Sequence, residues 1–184
     1  LKVQGFVVEK IHILGQEHDL KLTPKNLKQE TLTRSQFEHH HEVLAEIKRL
    51  LNTAKQDHGE QYPRGNCTYD WAVSKTLVCD RNARNQRLTP QEPGFKDFEI
   101  GGSDALAELH QGRFDEHSMD LHFQRVHRRF MVGTKGHIGL VPPESQMGDI
   151  VCVIFGCSVP VVLRPNIINM REELEVSLEF IGEW

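Results

Sequence analysis

The sequence predicts an α+β fold, a small antiparallel β-barrel with a helical unit inserted between its first strand and the remaining strands. Three observations carry that prediction. The chain opens on a near-continuous apolar run, Val3, Phe6, Val7, Val8, Ile11, Ile13 and Leu14, rich in the β-branched and aromatic residues that suit a pleated surface. Its last third divides into short apolar runs separated by glycine and proline, the spacing at which a chain reverses into successive antiparallel strands. Between these regions Phe37, Leu44, Ile47 and Leu51 recur at helical intervals.

Residues 1–15 form the first expected strand, closed by Gly15, and Gly5 within it marks a bulge or a close backbone approach. The polar segment 16–33, with Pro24, reads as a loop with short helical pieces. Ser35 and Glu38 have capping-box spacing and open a helix over 35–55, with Glu42, Glu46, Lys48 and Arg49 on its polar face. Gly59, Pro63 and Gly65 break the chain before a second helix over 68–81, in which Trp71, Ala72 and Leu77 are expected to be buried. A polar stretch with Pro90 and Pro93 reads as a loop. Ser103 or Asp104 then caps a short helix containing Leu106 and Leu109, and 115–126 is a further helix with Met119, Phe123 and Val126 on one face. The helical insertion thus occupies 16–126.

The remaining barrel strands fall within 127–184, over 128–132, 137–141, 149–155, 159–163 and 174–181. Gly133 to Gly136 form a tight hairpin turn, Gly148-Asp149 and Gly156 mark the next reversals, and Gly139 is counted with them among the structural turn residues. Gly136, Gly148 and Gly156 are expected in backbone conformations that exclude a side chain. In the last strand Leu174, Val176, Leu178 and Phe180 alternate with Glu173, Glu175, Ser177 and Glu179, which predicts one buried and one wet face.

A chain of 184 residues favours one domain, and at this length folding buries roughly 70% of the surface of the unfolded chain. Lys and Arg total 22 against 26 Asp and Glu, a net charge of −4, which provides no general attraction to nucleic acid or anionic lipid. No apolar run approaches the roughly 18 residues that span a bilayer, and no charged-then-apolar leader opens the chain. The expectation is a soluble cytoplasmic protein without membrane association. Cys67, Cys79, Cys152 and Cys157 are too few for a disulfide framework in a chain this long and read as buried free thiols.

Eleven histidines raise the question of a metal. His39, His40 and His41 are consecutive and on a helix point about 100° apart, so they do not converge on one ion. His41-Glu42 begins a zinc-protease-like helix motif, but Ala45 stands where the second histidine is required. His110, His117, His122 and His127 do not stack on one helical face. Cys79-Asp80 lacks any local signature of a nucleophile and its base. No catalytic residue, metal ligand or cofactor is therefore expected. The basic run Arg125 to Arg129 contributes Arg125, Arg128 and Arg129, with Arg164, to a candidate interaction surface, although aromatic residues for base stacking are scarce. Gly133-x-x-Gly136 lacks the Lys-Ser/Thr and helix of a phosphate loop and reads as turn chemistry.

The order of pieces in the last third closely resembles the C-terminal region of fungal heterokaryon incompatibility proteins, the HET-domain family. The resemblance lies in Arg128-Arg129-Phe130, Gly136 to Leu140, Gly148-Asp149-Ile150-Val151, Gly156, Pro160 and Val162 to Pro165. Upstream, Trp71 with Thr76 to Arg81, and Leu1-x-Val3-x-Gly5 with Val8-Glu9-x-Ile11, look like the family's text. The sequence departs from that text at Glu9, where the family often has Asp, at His137, where it often has Tyr, and at Val141, where it often has Gly. The family's Tyr-x-His-Gly segment does not follow Gly182-Glu183-Trp184. The resemblance implies that the HET effector domain lies outside this chain. It also implies that these residues are a non-catalytic recognition or regulatory region with protein partners, the protein's own HET domain included. The alternative readings are a metal-assisted hydrolase using the histidine clusters and a nucleic-acid-binding adaptor.

Overall fold

A computed structural model describes residues 4–17, 34–63, 67–77, 87, 127–170 and 173–184. Strand β1 (Gly5–Glu17) is followed by helices α1 (Arg34–His58) and α2 (Tyr69–Leu77), then by β2 (Arg129–Gly133), β3 (Ile138–Val141), β4 (Ile150–Ile154), β5 (Val161–Met170) and β6 (Glu173–Glu183). The strands form one six-stranded sheet in the order β3-β2-β1-β4-β5-β6. All of its pairings are antiparallel.

The opening strand lies at the centre of the sheet, as its apolar run requires. β1 divides its length between two neighbours: Ile11, Ile13, Leu14 and Glu17 pair with β2, whereas Gly5 to Lys10 pair with β4. Gly5 is the close approach expected of it, because a Cβ there would collide with the Val153 carbonyl. The bulge lies instead between Val7 and Glu9.

One core draws on every strand: Val8, Ile11 and Leu14 of β1, Met131 of β2, Val141 of β3, Val151 of β4, Val162 of β5 and Ile181 of β6, with Trp184 beside them. On the opposite face of β2 and β3, Phe130, Val132 and Ile138 pack with Ile47, Leu50, Leu51 and Ala54 of α1 and with Tyr69, Val73 and Leu77 of α2. The two helices therefore cover the outside of the β1–β2–β3 half. α1 stops at Gly59, whose φ of 88° suits glycine and whose N–H donates to the Lys55 carbonyl at 2.8 Å. Thr68 caps α2, its Oγ1 accepting the Trp71 N–H at 3.3 Å. Lys55 bonds Asp70 at 2.8 Å and ties the two helices together.

Several expectations are corrected. The sheet is not closed into a barrel: among the described residues β3 and β6 are its two edges and do not pair with each other. They approach through side chains, with the Trp184 indole against Gly139, Pro142 against Gly182 and Arg128 donating to the Glu183 carbonyl. β5 runs to Met170 and carries Pro165 inside the strand, in register with Leu178. In the apolar row of β6, Leu178 is 51% and Phe180 62% exposed, and among the described residues it is Ile181 of this strand that packs against the shared core. The register shift between Val162 and Leu163 sets Phe180 beside Leu163, on the face opposite the shared core. In α2, Tyr69, Val73 and Ser74 are buried with Leu77, while Trp71 and Ala72 are only partly so. Cys152 is buried, but Cys157 is exposed in the turn after β4 and Cys67 is intermediate. The expected loops and helices over 18–33 and 78–126, Cys79, His110, His117, His122 and Arg125 lie outside the described residues.

Candidate functional site

The turn glycines behave as their spacing predicts. Gly136, Gly148 and Gly156 have φ of 82°, 96° and 93°. Gly133 accepts the Gly136 N–H at 3.0 Å and donates to the His137 carbonyl at 2.8 Å, closing the β2–β3 hairpin. Gly139, expected among the turn residues, lies instead inside β3, where its missing side chain leaves room for the Trp184 indole.

Of the arginines singled out in the sequence, Arg128, Arg129 and Arg164 bond to the protein itself. Arg164 reaches Asp149 through two bonds of 2.9 Å and donates to the Glu144 carbonyl at 2.8 Å. Asp149 is 2% exposed, and the hydrogen bond to it holds the Arg164 guanidinium above its ordinary pKa. Asp149 also accepts the Gln146 N–H at 2.8 Å. Arg129 donates to the carbonyls of Gly15 at 2.7 Å and Ser145 at 2.9 Å. Both side chains thus gather the connection between β3 and β4 onto the sheet. Arg164 also stands opposite Glu179 in the register of β5 and β6. His127 is exposed, with Nδ1 3.4 Å from Glu17 Oε1. His39, His40 and His41 fall in the first turns of α1, and among the described residues no group of three His, Cys, Asp or Glu is arranged to hold a metal ion. Burial pushes the Cys152 thiol up, away from the thiolate a nucleophile needs.

A polar cluster not anticipated from the sequence lies beneath α2. Glu9 is 2% exposed, and its Oε1 lies 3.0 Å from Nδ1 of the buried His137. Its Oε2 accepts the Lys135 N–H at 3.2 Å. Tyr69 donates to the Gly136 carbonyl at 2.9 Å, and Tyr62 sets its edge against both Tyr69 and His137. Burial, with Tyr62 and the Glu9 carboxylate adding, pushes the Tyr69 hydroxyl up to about 12. The carboxylate fills the space beside Gly133 that a Cβ would occupy. This arrangement locks β1, the hairpin and α2 together in a site closed to solvent. Its sequence signal was a charged residue inside an apolar strand and a histidine directly after a turn glycine.

The exposed chemistry is apolar. On the outer face of the sheet, Cys152, Val161 and Leu163 are buried, with Ile150 and Ile154 packed against them. Val7 stands in register with Cys152, Phe180 with Leu163 and Leu178 with Pro165, and these three flanking side chains are each more than half exposed. At the end of the sheet Phe6 and Phe155 meet with ring centroids 6.3 Å apart and are also exposed.

In comparisons with known proteins, no family model, no curated protein and no solved structure matches the chain. No helix among the described residues is long and apolar enough to cross a membrane.

Proposed function

We propose that these residues form a non-catalytic recognition module of a fungal heterokaryon incompatibility protein. It acts in the cytoplasm and binds protein partners, the protein's own HET domain among them. The observation that carries the reading is the exposed apolar border of the outer sheet face, Val7, Leu178 and Phe180. Apolar side chains gathered on one face, rather than scattered singly, mark protein contact surfaces. The link to this family rests on the order of motifs from Arg128 to Pro165. The reading also takes the curled sheet as a barrel opened between β3 and β6, whose interior is the core shared by all the strands. Arg129 and Arg164, spent on carbonyls and Asp149, brace the module rather than contact the partner.

The test compares growth of a fungal host expressing residues 1–184 alone, the same residues fused to a HET domain, and a fusion carrying Leu178→Glu and Phe180→Glu. The isolated chain should leave growth unchanged, the fusion should arrest it, and the double substitution should relieve the arrest. Killing by the isolated chain, or turnover of peptides or nucleotides by it, overturns the reading in favour of an enzyme. Retention of a metal through purification points to the hydrolase, and salt-dependent binding of nucleic acid to the adaptor.

A further inference from the structure

We infer that the outer edge of β6 is a docking strand for an extended segment of another protein, in which apolar residues alternate with lysine or arginine. The inference rests on the recognition reading and specifies the partner's chemistry. β6 pairs with β5 from Glu173 to Glu183. Among the described residues, no backbone hydrogen bond joins its other side to a further strand. An unpaired strand presents a row of N–H and C=O groups, and an incoming strand that adds to it gains main-chain bonds while flanking side chains select the sequence.

Two different rows flank this edge. Leu178 and Phe180 project on the outer face and are 51% and 62% exposed. The intervening Glu179 is exposed, and Glu173 and Glu175 share its parity along the strand. β6 contains no lysine or arginine. Arg164 stands opposite Glu179, but its guanidinium is bound to Asp149. The C-terminal end of the edge is engaged by Arg128 at the Glu183 carbonyl, so the open stretch runs from Glu173 to Phe180.

Charge decides among occupants. A second copy of β6 added antiparallel sets the face that bears Glu179 against the same face, and like charges directly opposite destabilise a strand pair. A strand alternating apolar and basic residues meets no such penalty. Its apolar row continues Leu178 and Phe180, and its cations lie beside Glu179.

The probe is an eight-residue, end-blocked, fluorescent peptide alternating valine and lysine, titrated into the full chain. The controls are the valine–glutamate counterpart and a peptide with the sequence Glu173 to Glu183. The lysine peptide should bind at least tenfold more tightly than either control, weaken as salt rises, and slow hydrogen exchange at the amides of 174–180. Glu179→Lys, a surface change, should reverse the preference between the lysine and glutamate peptides. Phe180→Ser should weaken binding at least tenfold with the circular dichroism unchanged. Equal binding of the two charged peptides, binding of neither, or protection elsewhere on the sheet overturns the inference. A preference for the β6 peptide also overturns it and assigns the edge to a second copy. These failures are distinct from failure of the recognition reading, which is judged by growth of the host with and without Leu178→Glu and Phe180→Glu.

Discussion

Glu9 shows how one residue organises its surroundings. A carboxyl group buried in an apolar strand is unfavourable unless it has polar partners, and this one lies against His137 with one oxygen and accepts the Lys135 N–H with the other. Space for it exists because residue 133 is glycine. Gly133→Ala should therefore displace the carboxylate and cost about 2 kcal/mol, as disruption of a buried polar contact does, measurable by urea denaturation. Glu9→Ala should cost a similar amount by leaving His137 buried without its carboxylate. Tyr69 makes the fold sensitive to base. Its hydroxyl titrates near 12 in the folded protein against an ordinary 10, so the folded state holds this proton more tightly than the unfolded chain. That stability is complete below pH 10 and is lost as pH rises towards 12. Tyr69→Phe should flatten the fall in melting temperature over this interval, and an unchanged slope would assign it to other groups. Of the three departures noted in the sequence, Glu9, His137 and Val141, the first two prove to be one contact. Each could be read as a departure, but their meeting required the pairing of strands far apart in sequence.

Individual strands and turns were largely legible because their chemistry is local. The reversals at Gly136, Gly148 and Gly156 have the positive φ their spacing implied. Gly148 and Gly156 have open space beside them, so alanine at either should cost about 1 kcal/mol through backbone strain alone. Gly139→Ala should cost more than either, since it displaces the Trp184 indole, and Trp184→Ala in the same chain should relieve part of that cost. A double-mutant cycle by thermal denaturation reads the difference. β6 was harder to interpret. Period-two alternation identifies two faces but not which one meets a core. Apolar character favours Leu178 and Phe180 inward, yet the register of β6 on β5, with Ile181 as the extra residue, leaves them outward. The same feature converts an expected core strand into a candidate recognition edge.

For the molecule as a whole, β1 is the join between two half-sheets, one under the helices and one extending to β6. Because Ile11 to Glu17 pair with β2 and Gly5 to Lys10 with β4, neither half is continuous with the other without it. Deletion of residues 1–17 should abolish cooperative unfolding, whereas a chain with a nicked backbone between 18 and 33 that retains β1 should still melt as a unit. Differential scanning calorimetry distinguishes these outcomes. The connections from β1 to β2 and β4 span more than a hundred residues, so their closure entropy must be offset by burial in the shared core. The same long-range pairing brings Arg129 and Arg164 to the β3–β4 connection, where each binds internal acceptors.

Hydrophobic periodicity, glycine spacing and helix capping act over a few residues, and at that range the sequence was sufficient to indicate an α+β chain, its strands, its turns and helices between the first strand and the others. Which strands became neighbours, which apolar row faced water, and the meeting of Glu9 with His137 depend on register and sheet curvature. A shift of one residue in strand pairing exchanges the two faces, and no local pattern specifies that choice. Likewise, that β3 and β6 are brought together by Trp184, Pro142 and Arg128 rather than by a ladder of hydrogen bonds follows from contacts between residues distant in sequence, which no local pattern encodes.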